Sequence, residues 1–221
     1  MNRANACEQR ASHRGAVPDE VISEMGKHET GYARVERDGY QSPPWLVKAL
    51  AEHVELRDRY VWEFAANSGR MSQALRDQGV QIFSSDIEPH RGLDAVFDFL
   101  SPGLVRPPDG YITNPPWSKA TEIIEAGLES IAKHGGLLAL LLPADFDAGV
   151  TRSHLFQHPF YLLRVTLLDR PVWFERADGK SVHPKENCCW QVWARPVLRL
   201  PGPAIVRHAM TRADRISANA R

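Results

Sequence analysis

No stretch of this 221-residue chain is apolar for long enough to cross a bilayer. The longest apolar run, GGLLALLLPA from Gly135 to Ala144, has the length of a buried strand. The amino-terminal end is polar and carries no signal-peptide core, so a cytoplasmic protein without a membrane partner is expected. Net charge of either sign is missing as well: 27 basic residues face 27 acidic ones, which does not by itself advertise a polyanionic partner. Cysteine is scarce. Three residues give no disulfide framework, and two of them, Cys188 and Cys189, are adjacent, so on a strand they point to opposite faces. With His183 they fit no zinc-ligand spacing, and no metal is expected. The Gly-x-Gly-x-x-Gly fingerprint of dinucleotide enzymes is also absent, which disfavours a nicotinamide-dependent dehydrogenase.

What remains is ordinary globular material: 43% hydrophobic residues, no internal repeat and no low-complexity tract. Residues 1–39 hold few apolar side chains and read as a mobile amino-terminal segment. From Ser42 the pattern changes. SPPWLVKALAEHV places prolines in a first helical turn and Val47, Leu50, Ala51 and Val54 at helical spacing. Strand-like runs follow at Tyr60 to Phe64, at VQIFSSD ending in Asp86, at DAVFDFL, at DGYIT and at LLALLLP, separated by helical stripes. Two of those stripes are clear, one at Met71, Ala74 and Leu75 and one at Ile124, Leu128 and Ile131. Two later strands, Tyr161 to Leu168 and Cys188 to Ala194, lie close together with no clear helix between them. This alternation predicts an α/β fold: a doubly wound, mostly parallel seven-stranded sheet with a carboxy-terminal antiparallel hairpin as its edge. Residues 40–196 would form the domain, and 197–221 a carboxy-terminal tail bearing Arg199, Arg207, Arg212, Arg215 and Arg221.

In such a sheet, ligands bind outside the carboxyl ends of the strands. The chemistry-bearing residues fall at those ends: Glu63 and the loop Ala65 to Gly69 after the first strand, Asp86 after the second, Asp98 after the third, and Asn114-Pro115-Pro116-Trp117 after the fourth. The last strip is unusual. Two consecutive prolines fix two φ angles and remove two backbone donors, so an amide, free carbonyls and an aromatic face sit on a stiff piece of chain.

These residues resemble the class I S-adenosylmethionine-dependent methyltransferases that modify an exocyclic amine, whose signature after the fourth strand is Asp/Asn/Ser-Pro-Pro-aromatic. The upstream order is similar too, over roughly Tyr40 to Ala194. YQSPPW, with Tyr40 and Ser42, looks like the segment that closes over the methionine part of the cofactor. EFAANSG looks like the cofactor loop, with Asn67 where the family usually has a glycine; DIEP and DF look like the ribose and adenine elements. The resemblance implies a Rossmann-like fold and S-adenosylmethionine as cofactor. Glu63 and the backbone of Ala65, Ala66, Asn67 and Gly69 would hold its methionine portion, Asp86 its ribose hydroxyls, Asp98 and Phe99 its adenine, with Ile87 packed on the ring. Asn114 and the Pro115 carbonyl would accept the two hydrogens of the target nitrogen and localise its lone pair, with Pro116 holding both rigid. Trp117 would stack on a planar group such as a flipped base.

The first expectation is therefore methylation of the 6-amino group of adenine in DNA. The segment order looks like one circular arrangement of the adenine-specific DNA methyltransferases, here phage-like or stand-alone. Arg170 and Trp173 are the candidate contacts to the base or its phosphates, and Trp173 reads equally well as hairpin core. RNA adenine, a protein glutamine amide, a small-molecule amine and a non-catalytic binding protein stay open as alternatives.

Overall fold

An apolar strand flanked by helices on both sides in sequence must be covered on both faces, and the computed structural model shows how. It describes residues 41–101, 107–173, 186–195 and 204–219, all within one compact unit, Arg34–Arg221. The expected mobile segment, 1–39, lies outside the described residues.

The chain begins with α1 (Trp45–Ala51) and then alternates β1 (Tyr60–Glu63), α2 (Arg70–Asp77), β2 (Gln81–Asp86), β3 (Ala95–Val96), β4 (Gly110–Thr113), α3 (Ala120–His134) and β5 (Gly136–Pro143). After β5 come the short α4 (Ser153–Phe156), β6 (Tyr161–Leu167), β7 (Cys188–Arg195), β8 (Ala204–His208) and α5 (Arg212–Asn219). The described strands form one sheet in the order β3-β2-β1-β4-β5-β7-β6-β8, and every neighbouring pair is parallel except those made by β7. From β1 the chain steps outward to β2 and β3, then returns to place β4 on the other flank. That reversal opens a crevice above the carboxyl ends of β1 and β4.

The α/β class and the mostly parallel sheet match the reading of the sequence; the edge needs correction. The antiparallel β6–β7 pair is not the border, because β7 inserts between β5 and β6, and an eighth strand, β8, runs parallel outside β6. Residues 204–219, read as part of a tail, thus supply a strand and a helix of the domain. In AIVRH only alternate residues turn inward, and an edge strand that keeps Ile205 and Arg207 in solvent gives a weak hydrophobic signal.

Strand alternation divides the core into two layers. Leu137, Ala139 and Leu141 of β5 join Val61, Ile112, α1 and the Met71–Leu75 stripe of α2 on one face. Leu138, Leu140 and Leu142 join Trp62, Tyr111, Trp193 and the Ile124, Leu128 and Ile131 stripe of α3 on the other. The helix approaches closely there: a Cβ on Gly127 would lie 2.8 Å from a Leu138 methyl carbon, so a larger residue would have to displace the Leu138 side chain. Cys188 and Cys189 are buried thiols, and burial is the main reason both are raised well above the ordinary thiol range, Cys189 to about 12. Among the described residues no helix is long and apolar enough to cross a membrane.

Candidate active site

The loop after β1 is built by its own hydrogen bonds. The Ala66 N–H donates to the Ser85 carbonyl of β2 (3.0 Å), and the Gly69 N–H turns back to the Ala66 carbonyl (2.7 Å). Two left-handed residues make the turn, Asn67 at φ 47° and Gly69 at φ 78°. Asparagine tolerates this region better than most residues, which accounts for its standing where a glycine is expected. A Cβ on Gly69 would meet nothing within 4 Å, so the turn that opens α2 faces free space.

Asp86, half-buried at the end of β2, ties the loop down. One carboxylate oxygen accepts the Asn67 N–H (2.9 Å) and the other the Glu88 N–H (3.0 Å). Each oxygen keeps a further lone pair, so the carboxylate can still accept ligand hydroxyls. Ile87 follows with 54% of its surface exposed, an apolar face beside a polar cleft. Asp98 is exposed and accepts the Leu100 N–H (3.0 Å). Phe99 lies stacked on Phe64, ring centroids 3.9 Å apart, within an aromatic cluster that includes Trp62 and Tyr111.

Glu63 behaves differently from the other strand-end acids. It is buried and accepts a hydrogen bond from the Ser72 hydroxyl of α2. Burial raises its pKa to about 8 against the lowering effects of Ser72 and Arg76, which favours the protonated carboxyl. It therefore braces α2 from below the loop. Ser72 went unnoticed in the sequence; the available signal was a hydroxyl inside the apolar stripe Met71, Ala74, Leu75. Ser42 is buried just ahead of α1, and its neighbour Gln41 accepts a hydrogen bond from Arg70 (3.2 Å), which joins that segment to the start of α2. Tyr40 lies outside the described residues.

Across the crevice, β4 ends at the register Thr113↔Leu140, and the Asn114-Pro115-Pro116-Trp117 strip begins. Asn114 Oδ1 is buried and has no hydrogen-bond partner among the described residues; the neighbouring Thr113 Oγ1 is in the same condition. Pro116 is extended (φ −60°, ψ 115°), and its carbonyl accepts the Lys119 N–H (2.9 Å), starting a 3-10 turn over Trp117–Lys119. The Trp117 indole N–H donates to the Leu141 carbonyl of β5 (3.2 Å), which pins the ring. Trp173 is buried at 7% exposure, its ring T-shaped against Trp117 with centroids 6.2 Å apart. Of the two readings left open for Trp173, the packed one describes its position. Arg170 is exposed and donates to Asn187 (2.8 Å); among the described residues no hydrogen bond or ion pair joins it to the 114–117 strip.

A cavity of about 640 Å³ opens at the other ends of the strands, lined by residues including Arg59, Asp109, His134 and Gly136. It shares no residue with the crevice above β1 and β4.

No family model matches the chain, and no curated protein matches it. Solved structures do. A 23S rRNA methyltransferase, ErmE, superposes with a TM-score of 0.50 at 19% identity, covering 74% of this chain and 72% of its own. A candidate hemolysin from Lactococcus lactis superposes with a TM-score of 0.50 at 12% identity, covering 85% of this chain and all of its own. The fold is Rossmann-like, of the class I methyltransferase type. At these identities the likeness extends to the fold; the residues above must carry any argument about chemistry.

Proposed function

We propose that the protein is an S-adenosylmethionine-dependent methyltransferase acting on an exocyclic amine, with the 6-amino group of adenine in a nucleic acid as its target. The observation that carries this reading is the buried, unpartnered Asn114 Oδ1 at the carboxyl end of β4. An unsatisfied buried acceptor costs on the order of 1–3 kcal/mol, so this one, at a strand end of the kind where ligands bind, calls for a donor that the described residues do not supply. An amino group is such a donor.

The residues opposite suit the cofactor. The open turn at Gly69, the spare lone pairs of Asp86 and the exposed face of Ile87 offer room beside the loop, acceptors for two ribose hydroxyls and a surface for a ring. Bound there, S-adenosylmethionine would supply an electrophilic methyl group. The chain's own residues do the rest. Asn114 Oδ1 and the Pro115 carbonyl accept the two amine hydrogens, drawing the nitrogen toward a tetrahedral geometry in which its lone pair is no longer delocalised. Proline stiffness holds both acceptors before the substrate arrives, and Trp117, pinned through its N–H, offers a stationary face for stacking. Glu63 supports the loop through Ser72. DNA was the first expectation; the fold likeness to an rRNA methyltransferase keeps RNA beside it.

Transfer of a labelled methyl group from S-adenosylmethionine to unmethylated duplex DNA, total RNA and protein extract tests this reading. Label recovered as N6-methyladenine supports it, and the arm in which it appears selects the nucleic acid. Label confined to protein overturns the adenine assignment in favour of a glutamine amide. No transfer in any arm, with cofactor still bound by calorimetry, overturns nucleic-acid methylation.

A further inference from the structure

Away from the crevice, two elements distant in sequence bring three side chains with metal-binding atoms together. Glu52 and His53 follow the last turn of α1, and His208 ends β8. One ligand-type atom from each lies within 4.8 Å of the other two. His208 Nδ1 is 3.0 Å from Glu52 Oε2, and the His53 and His208 rings are edge-to-face with centroids 6.3 Å apart. We infer that Glu52, His53 and His208 form a binding site for a borderline divalent cation of the zinc type, which clips α1 to the outermost strand. Nothing in the methyltransferase reading requires it.

The chemistry favours this class of ion. Two imidazoles and one carboxylate are a zinc ligand set, whereas magnesium and calcium take oxygen ligands. Ligand atoms about 2.0–2.1 Å from a tetrahedral ion lie roughly 3.3 Å from one another, close to the separation that His208 and Glu52 already have. The third donor has little distance to cover. His53 and Glu52 are both exposed, so its side chain can rotate inward and a fourth position stays open to water.

The site is also preassembled. His208 is 7% exposed, and its carbonyl accepts the Leu168 N–H (2.8 Å), which fixes the end of β8. Just beyond, Thr211 and Asp214 bond to each other across the first turn of α5 as a reciprocal cap: the Thr211 hydroxyl donates to Asp214 Oδ2 (2.6 Å) and the Asp214 N–H to Thr211 Oγ1 (3.2 Å). The other oxygen of Asp214 pairs with Lys48, one helical turn before Glu52, at 2.7 Å. The α1 ligands and the β8 ligand are thus held in register by a neighbouring ion pair, so binding orders little that is not ordered already. Spacing carries no hint of the site, because two adjacent residues and one far downstream make no ligand-spacing pattern.

Calorimetric titration of zinc chloride into the metal-stripped, tag-free full chain tests the assignment, with thermal unfolding in parallel. One ion should bind per chain and raise the unfolding temperature, while magnesium chloride does neither. His53→Ala and Glu52→Gln change exposed residues and should keep the far-ultraviolet spectrum of the parent. Each should weaken zinc by about tenfold or more, since even the partners of metal ligands are worth that much. The cobalt-substituted chain should lack thiolate-to-metal charge transfer. No zinc binding would overturn the inference, and so would binding that both variants leave unchanged or that shows the thiolate band, since the nine histidines and three cysteines offer other ligands. None of these outcomes depends on methyl transfer.

Discussion

The two walls of the crevice are made in opposite ways. On the β1–β2 wall, the polar groups the argument turns on already have partners inside the chain: Asp86 holds two backbone N–H groups, Glu63 holds Ser72, and Asp98 holds Leu100. On the β4 wall, Asn114 Oδ1 and Thr113 Oγ1 are buried with no described partner. A polar group with an internal partner helps to fix a shape. One without a partner weakens the fold by its desolvation and gains a donor only when a ligand enters. In the proposed function the first wall is the preformed cradle and the second the part that acts on what is bound. Mutations on the two walls should fail differently.

The sharpest test is Asn114→Ala. Removing an acceptor that has no partner among the described residues should leave thermal stability unchanged or slightly raised. Methyl transfer should fall by about 10²–10³-fold, the usual cost of removing one preorganised group that stabilises a transition state, with cofactor affinity kept. A variant that loses cofactor affinity, or that unfolds, would place Asn114 on the structural wall and remove the main support for the proposed chemistry.

Asp86→Ala should do the reverse. Two backbone N–H groups lose a charged acceptor, and water can replace only part of that in a half-buried site, so a loss of roughly 2–4 kcal/mol of stability is expected. Calorimetry should show S-adenosylmethionine binding weakened before any change in turnover at saturating cofactor. Unchanged affinity would move the ribose site elsewhere and leave Asp86 as a loop staple alone.

How much of this could be read in the sequence follows the same division. The strand ends were legible because β1, β2, β4 and β5 are short apolar runs bounded by turn residues, and strand order then puts Glu63, Asp86 and Asn114 at one end of the sheet. The Asn-Pro-Pro-Trp strip was legible because its stiffness is written in two prolines. Partner choices were not. Nothing in the spacing of Glu63 and Ser72 says that the acid turns under the loop, since that depends on the rotation of α2 against β1. The packing of Trp173 on Trp117 depends on how residues beyond β6 return across the sheet. β8 escaped because half of its residues face solvent and an edge strand needs apolar side chains on one face only.

A third test is of pH dependence, and it singles out Glu63 within the first wall. Burial raises the pKa of its carboxyl from the ordinary 4.5 to about 8 in the fold. The folded chain holds that proton more tightly than the unfolded one, so the contribution is complete below 4.5, declines as pH rises and is gone above about 8. Between those limits stability should fall steadily with pH from this group alone. Glu63→Gln cannot titrate, and its amide can keep a hydrogen bond to Ser72. Urea unfolding at about pH 5, 6.5 and 8 should therefore show parent and variant converging or crossing as pH rises, with the flatter profile belonging to the variant. Parallel profiles would mean that Glu63 is ionised in the fold. Glu63, with Ser72 and the Arg76 charge beside it, would then be a carboxylate free to meet the methionine portion of the ligand rather than one that braces α2.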